Sequence, residues 1–207
     1  MRRKTQVLPE GDSQAIARAL EILQGGGLVA FPTDTVYGLG ARVHDAGAIQ
    51  RIFRVKGRVH TKAIPVLLAG ADEISKVALS LPSNAEQLAS RFWPGPLTIV
   101  VWRKPDLPEE LSVDKTVGLR VPDHRLALQL LTVAGPLAVT SANRSGDPSP
   151  CTAEDVFTAL EGRIELILDG GKTPGGAPST VVDCTRAVPQ ILRPGPISEE
   201  EILRVLR

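Results

Sequence analysis

The chain reads as an α/β layer protein with a mixed sheet. Helical and strand periodicities alternate along its whole length, which fits a layered α/β structure and neither a bundle nor a sandwich. The late connection Ala187-Val188-Pro189 is too short to hold a crossover helix, so part of the sheet must be antiparallel. At 207 residues the chain suits a single domain spanning 1–207, and it shows no repeat, low-complexity tract or linker.

The elements follow in order. Residues 13–23 form an amphipathic pattern with Asp12 before it and Gly25-Gly26-Gly27 after it, a capped and terminated helix. Residues 28–31 are a short buried strand. Between 45 and 55, Ala48, Ile49, Ile52, Phe53 and Val55 fall mostly on one helical face, with Arg51 and Arg54 off it. Strand 64–68 precedes helices near 71–79 and 83–92. Strands 97–102 and 117–121 sit beside proline or glycine punctuation. A helix at 124–133, a strand at 137–140, a helix at 153–160 and a strand at 164–168 continue the alternation. Strands 180–183 and 190–192 and a helix from Ser198 close the chain.

Composition excludes several function classes. The 24 Lys and Arg against 23 Asp and Glu give no global attraction to nucleic acid, so any RNA contact must come from a local patch. Four Phe, two Trp and one Tyr are too few for a base-stacking platform. Cys151 and Cys184 have neither metal-ligand spacing nor the density of a disulfide framework, which points to a reducing cytoplasm. The start Arg2, Arg3, Lys4 is followed by polar residues, and no later segment is apolar enough to cross a membrane.

Charge is nevertheless gathered at one place. Arg51, Arg54, Lys56, Arg58 and Lys62 lie between Asp45 and Asp72 with no acid among them. Solvated faces account for many such runs. Here, however, Gly57 separates two of the cations and marks a chain reversal that could bring both onto one polyanion. Gly170-Gly171-Lys172-Thr173 imitates a Walker A loop but has Leu166 where that motif needs glycine and Pro174-Gly175-Gly176 where it needs a helix. Gly38-Leu39-Gly40 lacks the third glycine of a dinucleotide fingerprint. His44, His60 and His124 are scattered, and Ser141 and Ser145 lack a nucleophile elbow, so covalent catalysis has little support. Hydroxyl-rich loops at 32–40 and 140–146 each follow a strand, where open α/β sheets gather ligands.

These motifs resemble the YrdC-type threonylcarbamoyl-adenylate synthase family. The match runs from about Gly25 to Ile197 through FPTDTVYGLG at 31–40, KGR at 56–58, SANRSG at 141–146, STVVD at 179–183 and LRPGPI at 192–197. It implies a twisted mixed sheet of YrdC/RibB-like type with flanking helices and a large basic cavity. It also implies a nucleotidyltransferase that makes threonylcarbamoyl-AMP and pyrophosphate from L-threonine, bicarbonate and ATP for tRNA threonylcarbamoyladenosine modification. Mg2+ accompanies the ATP, with no protein ligand set identified. A downstream threonylcarbamoyl transferase machinery takes the product, and direct contact with tRNA or double-stranded RNA is left open. The match is to the short form, without the extra C-terminal domain of longer relatives.

Carried onto matching positions, the resemblance implies a catalytic set of Lys56, Arg58, Ser141 and Asn143. Those four with Thr116 and Arg193 form the ATP site, and Thr33, Thr35, Arg120, Thr140 and Ser179 the threonine site. Lys56, Arg58 and Arg193 are expected to hold phosphate oxygens. Arg120 with Thr33, Thr140 and Ser179 would orient threonine, while Ser141 and Asn143 bridge the substrates. Val59, Ala63 and Arg144 depart from the family pattern, at positions usually proline, asparagine and apolar. Two other readings compete: an RNA-binding module whose cations track a backbone, and a carbamoyl-transfer module akin to hydrogenase maturation proteins, whose acylphosphatase-like and zinc-finger regions are absent here.

Overall fold

The computed structural model describes residues 4–174 and 176–207. Arg2 and Arg3 of the basic start, and Gly175 of the Pro174-Gly175-Gly176 stretch, lie outside the described residues. The strands are β1 (Gln6–Pro9), β2 (Val29–Phe31), β3 (Gly38–Arg42), β4 (Val66–Leu67), β5 (Leu97–Trp102), β6 (Thr116–Arg120), β7 (Leu137–Ser141), β8 (Leu166–Asp169), β9 (Thr180–Asp183) and β10 (Gln190–Arg193). The helices are α1 (Ala15–Gln24), α2 (Ala46–Lys56), α3 (Ser83–Phe92), α4 (Arg125–Ala134), α5 (Ala153–Leu160) and α6 (Glu199–Val205).

All the strands join one open sheet in the order β1-β8-β2-β3-β7-β4-β6-β5-β9-β10. It is mixed, as expected: β1/β8, β2/β8, β4/β6 and β5/β9 are parallel, while β2/β3, β3/β7, β4/β7, β5/β6 and β9/β10 are antiparallel. The short 187–189 connection closes the β9/β10 pair, with Gln190 opposite Asp183.

Strand parity decides what lies on each face. Leu97, Ile99 and Val101 of β5 and Val117 and Leu119 of β6 are buried in one core with Ile49, Ile52 and Phe53 of α2, Ala85 and Leu88 of α3, Val156 and Leu160 of α5 and Ile202 of α6. On the opposite face, Val29, Phe31, Leu137, Val139, Leu166 and Leu168 pack against Leu23 of α1 and Leu126, Leu130 and Leu131 of α4. Each fully buried aliphatic side chain of this kind contributes about 1.5–3 kcal/mol. The second core stops near β7 and β4. Beyond it, the α1/α4 face of β6, β5, β9 and β10 has no helix over it among the described residues.

Three local expectations are corrected. The stretch 38–42 is strand β3 and not part of a loop. Glycine is needed there, because a Cβ on Gly38 would come within 2.6 Å of Val139 Cγ1 and one on Gly40 within 2.9 Å of Phe31 Cε1. The helix expected at 71–79 is a 3-10 turn at Ala71–Lys76. It stops because the Leu79 N–H donates to the Trp102 carbonyl at 3.0 Å. Strand β1 carried no sequence signal, being four residues, exposed except for half-buried Leu8, with a proline at its end. At α1, Asp12 accepts the Gln14 N–H at 2.8 Å, and the helix begins at Ala15, later than expected.

Candidate functional site

A cavity of about 330 Å3 occupies the uncovered part of the sheet. Its floor is the face opposite the larger core: Thr98 and Val100 of β5, Thr116, Gly118 and Arg120 of β6, and Val181 of β9. Its walls come from Thr33 and Thr35 after β2, Thr140 and Ser141 at the end of β7, Ser179 before β9, Arg193 at the end of β10, and Arg58 with 63–65. The loops reach the site from strand ends, but the ligand space lies over the sheet face and not beyond its edge.

Lys56 and Arg58 enter by way of helix α2. Asp45 caps its start by accepting the Ala48 N–H at 2.8 Å. Ala48, Ile49, Ile52, Phe53 and Lys56 are its buried residues, so Lys56 falls on the inward stripe. Gly57 ends the helix at φ +61, a left-handed conformation that favours glycine. Beyond the reversal the two cations have different partners. Lys56, 2% exposed, donates from Nζ to the carbonyls of Ser141 and Asn143 and, at 3.3 Å, to Asn143 Oδ1. Lys56 and Asn143 are not among the residues lining the cavity.

Burial, and next the charge of Arg58, push the Lys56 pKa down to about 7, with Asp147 opposing. The acceptors around Nζ match the protons of an ammonium, a geometry that favours the charged form.

Arg58 does line the cavity. Its Nη2 donates to the Ala63 carbonyl at 3.0 Å, while its buried Nε has no protein partner. Arg193 is held by the Ser179 carbonyl, from Nε at 3.1 Å and Nη2 at 2.7 Å. Its Nη2 also reaches Ser179 Oγ at 3.2 Å, and that oxygen is 2.7 Å from Thr98 Oγ1 in a shared hydrogen bond. Burial lowers the pKa of Arg193, and the charges of Arg120 and Arg58 lower it further. Burial likewise lowers that of Arg58. A desolvated cluster of like charges is relieved by an anion placed among its members.

Arg120 is different because it is compensated. Its Nη2 donates to Asp34 Oδ1, its Nη1 to Thr35 Oγ1 at 3.1 Å and its Nε to the Gly95 carbonyl at 3.0 Å. Burial lowers its pKa and Asp34 raises it. Of the guanidinium's five N–H groups, two are left for a ligand. Thr33 Oγ1 donates to the Val36 carbonyl at 2.7 Å and accepts the N–H groups of Thr35 and Val36, so it shapes its own turn. Arg51 also has a counter-charge, from distant sequence: Glu165 Oε1 lies 2.7 Å from its Nη2.

Of the residues expected from sequence, Thr33, Thr35, Arg58, Thr116, Arg120, Thr140, Ser141, Ser179 and Arg193 line one cavity. Residues missed by the sequence reading are Thr98, Ser112, Asp114 and Gly118 in the lining, and Asp34 behind Arg120. Thr98 carried a signal, a hydroxyl within the otherwise apolar strand 97–102. Asp114 is the one carboxylate in the lining among the described residues.

A mixed α/β sheet with a basic, hydroxyl-lined cavity on its uncovered face defines the class of protein. The chain belongs to the Sua5/YciO/YrdC family, whose model, described as "Telomere recombination", matches residues 21–195. It is 44% identical over 190 residues to a threonylcarbamoyl-AMP synthase of Pyrococcus abyssi, covering 91% of this chain and 56% of that protein. It is 42% identical over 199 residues to a putative threonylcarbamoyl-AMP synthase of Mycobacterium tuberculosis (strain CDC 1551 / Oshkosh), covering 96% and 92%. The crystal structure of P. abyssi Sua5 complexed with L-threonine superposes with a TM-score of 0.92 at 42% identity, covering 97% of this chain and 60% of that one. The chain thus spans less than two thirds of the archaeal protein's length.

Proposed function

We propose that the chain is a nucleotidyltransferase forming threonylcarbamoyl-AMP and pyrophosphate from L-threonine, bicarbonate and ATP, for tRNA modification. The observation that carries this reading is the pairing, in one cavity, of Arg58 and Arg193, which have no acidic partner among the described residues, and Arg120 with its charge already balanced. The uncompensated pair suits a polyphosphate. The compensated arginine, flanked by the Thr35 hydroxyl, suits a singly charged carboxylate that needs orientation more than neutralisation. The named relatives, and the solved neighbour described with L-threonine, support the same assignment.

In this reading the amine of threonine and bicarbonate give a carbamate with loss of water. A carbamate oxygen attacks the α-phosphorus of ATP, and the bond to pyrophosphate breaks. Such a transfer needs alignment and stabilisation of charge on the phosphates, not a nucleophilic side chain. Arg58 and Arg193 bind phosphate oxygens, with Thr116 on the ATP side; Arg120, Thr35, Thr140 and Ser179 orient threonine; Ser141 bridges the two substrates. Magnesium comes with the nucleotide. An ion held mainly by phosphates and water needs few protein ligands, and Asp114 is the one carboxylate in the lining among the described residues.

No helix among the described residues is long and apolar enough to cross a membrane. Incubation with ATP, labelled bicarbonate and threonine tests the reading. Threonine-dependent pyrophosphate release is expected. RNA binding without turnover would favour the RNA-binding module, and release that requires carbamoyl phosphate would favour the carbamoyl-transfer module.

A further inference from the structure

We infer that Lys56 is a positioning residue, a buried clamp that holds the 141–143 segment against helix α2 so that Ser141 faces the cavity, and not a contact of the bound ligand. The β7 ladder ends at Ser141, which pairs with Gly38, so the carbonyls at and beyond that point need other donors. The Lys56 ammonium supplies them for Ser141 and Asn143 and also takes Asn143 Oδ1. The main chain of the same residue completes the dock: the Lys56 carbonyl accepts the Ser145 N–H at 2.8 Å. Asn143 Nδ2 then donates to the Asp147 carbonyl at 2.6 Å and closes the loop on itself.

Each proton of the ammonium therefore has an acceptor, and the side chain is buried away from the cavity lining. A phosphate contact would require breaking bonds that the fold already makes. Arg58, two residues on, has the complementary properties: it lines the cavity and has a buried N–H without a partner. The motif thus divides its labour, with one cation building the loop and the other meeting the ligand.

The comparison of these two roles rests on reading the cavity as a polyphosphate site, whereas the clamp itself does not. The experiment separates them by measuring amide hydrogen exchange and tripolyphosphate binding on wild type, Lys56→Met, Lys56→Arg and Arg58→Ala. In Lys56→Met, the Ala142 and Ser145 amides are expected to exchange about tenfold faster or more, with core amides of α2 unchanged. Trypsin should nick after the exposed Arg144 faster by a similar factor. Lys56→Arg, which keeps donors, should restore much of the protection. Tripolyphosphate affinity should stay within about threefold of wild type in Lys56→Met and fall about tenfold or more in Arg58→Ala. An equal loss of affinity in both, with loop exchange unchanged, would overturn the clamp.

If wild type bound no tripolyphosphate, the polyphosphate reading would fail, and the exchange data alone would decide the clamp. Should Lys56→Met not fold, Asn143→Ala removes one acceptor and leaves the lysine. Faster Ala142 and Ser145 exchange at unchanged affinity is the expected result there, and unchanged exchange overturns the clamp.

Discussion

At the scale of single residues, charge compensation separates cations that sequence alone groups together. Arg51 looks unpaired along the chain, yet Glu165 answers it; Lys56 is absorbed by carbonyls; Arg58 is left facing the cavity. Asp34 was hidden among the hydroxyls of its motif, although its bond to Arg120 fixes that side chain in the wall. Removing one partner of a buried ion pair strands the other charge, so Asp34→Ala should destabilise the fold by about 3–5 kcal/mol in urea unfolding, whereas a surface pair would cost far less. His124 offers a pH test. Burial lowers its pKa, against opposing pulls from Glu10 and Asp34, and its Nδ1 is buried without a partner. The unfolded chain therefore takes up this proton first. Stability linked to His124 is full above the ordinary histidine range and is lost as pH falls below about 6.5. The melting temperature of His124→Gln should drop less than that of wild type between pH 7.5 and 5.5.

At the scale of elements, periodicity located most helices and strands well, because their buried stripes are local. Strands 97–102, 180–183 and helix 153–160 needed no revision. Strand β3 escaped because its positions facing Val139 and Phe31 are glycines, required by close packing rather than by a turn, which leaves only Leu39 and Ala41 as apolar signal. The buried stripe of α2 was legible, and continuing it by one turn leads to Lys56, an early sign that this lysine points inward. The turn after β10 shows how close packing places a site residue. A Cβ on Gly195 would lie 2.4 Å from the Thr180 nitrogen and 2.7 Å from the Pro178 carbonyl oxygen, backbone atoms that cannot give way. Gly195→Ala should push this turn off β9 and displace Arg193. Thermal melts should show a loss of about 1–3 kcal/mol, typical of overpacking, and pyrophosphate release should fall with it.

At the scale of the whole molecule, the site exists because the helices cover the two faces unequally. One face is packed by α2, α3, α5 and α6; α1 and α4 reach only the β7 side of the other and leave β6, β5, β9 and β10 open. That inequality could not be read from the sequence, since it depends on a strand order that joins β1 to β8 and β5 to β9 across long separations. The motifs named part of the lining, such as Thr35, Arg58, Ser141 and Arg193, while Thr98 and Asp114 come from outside them and the sheet order determined where all of these meet. Arg58 and Arg193 meet there from opposite ends of that order of construction, one after α2 and one at the last strand. The most direct measurement is threonine-dependent pyrophosphate release by wild type, Arg58→Ala and Arg193→Ala. Each substitution should lower the rate by about two to three decades, or about 2–4 kcal/mol of transition-state stabilisation, in variants that remain folded. Near-wild-type release by both variants, or release by wild type that ignores threonine, would contradict the assignment of this cavity.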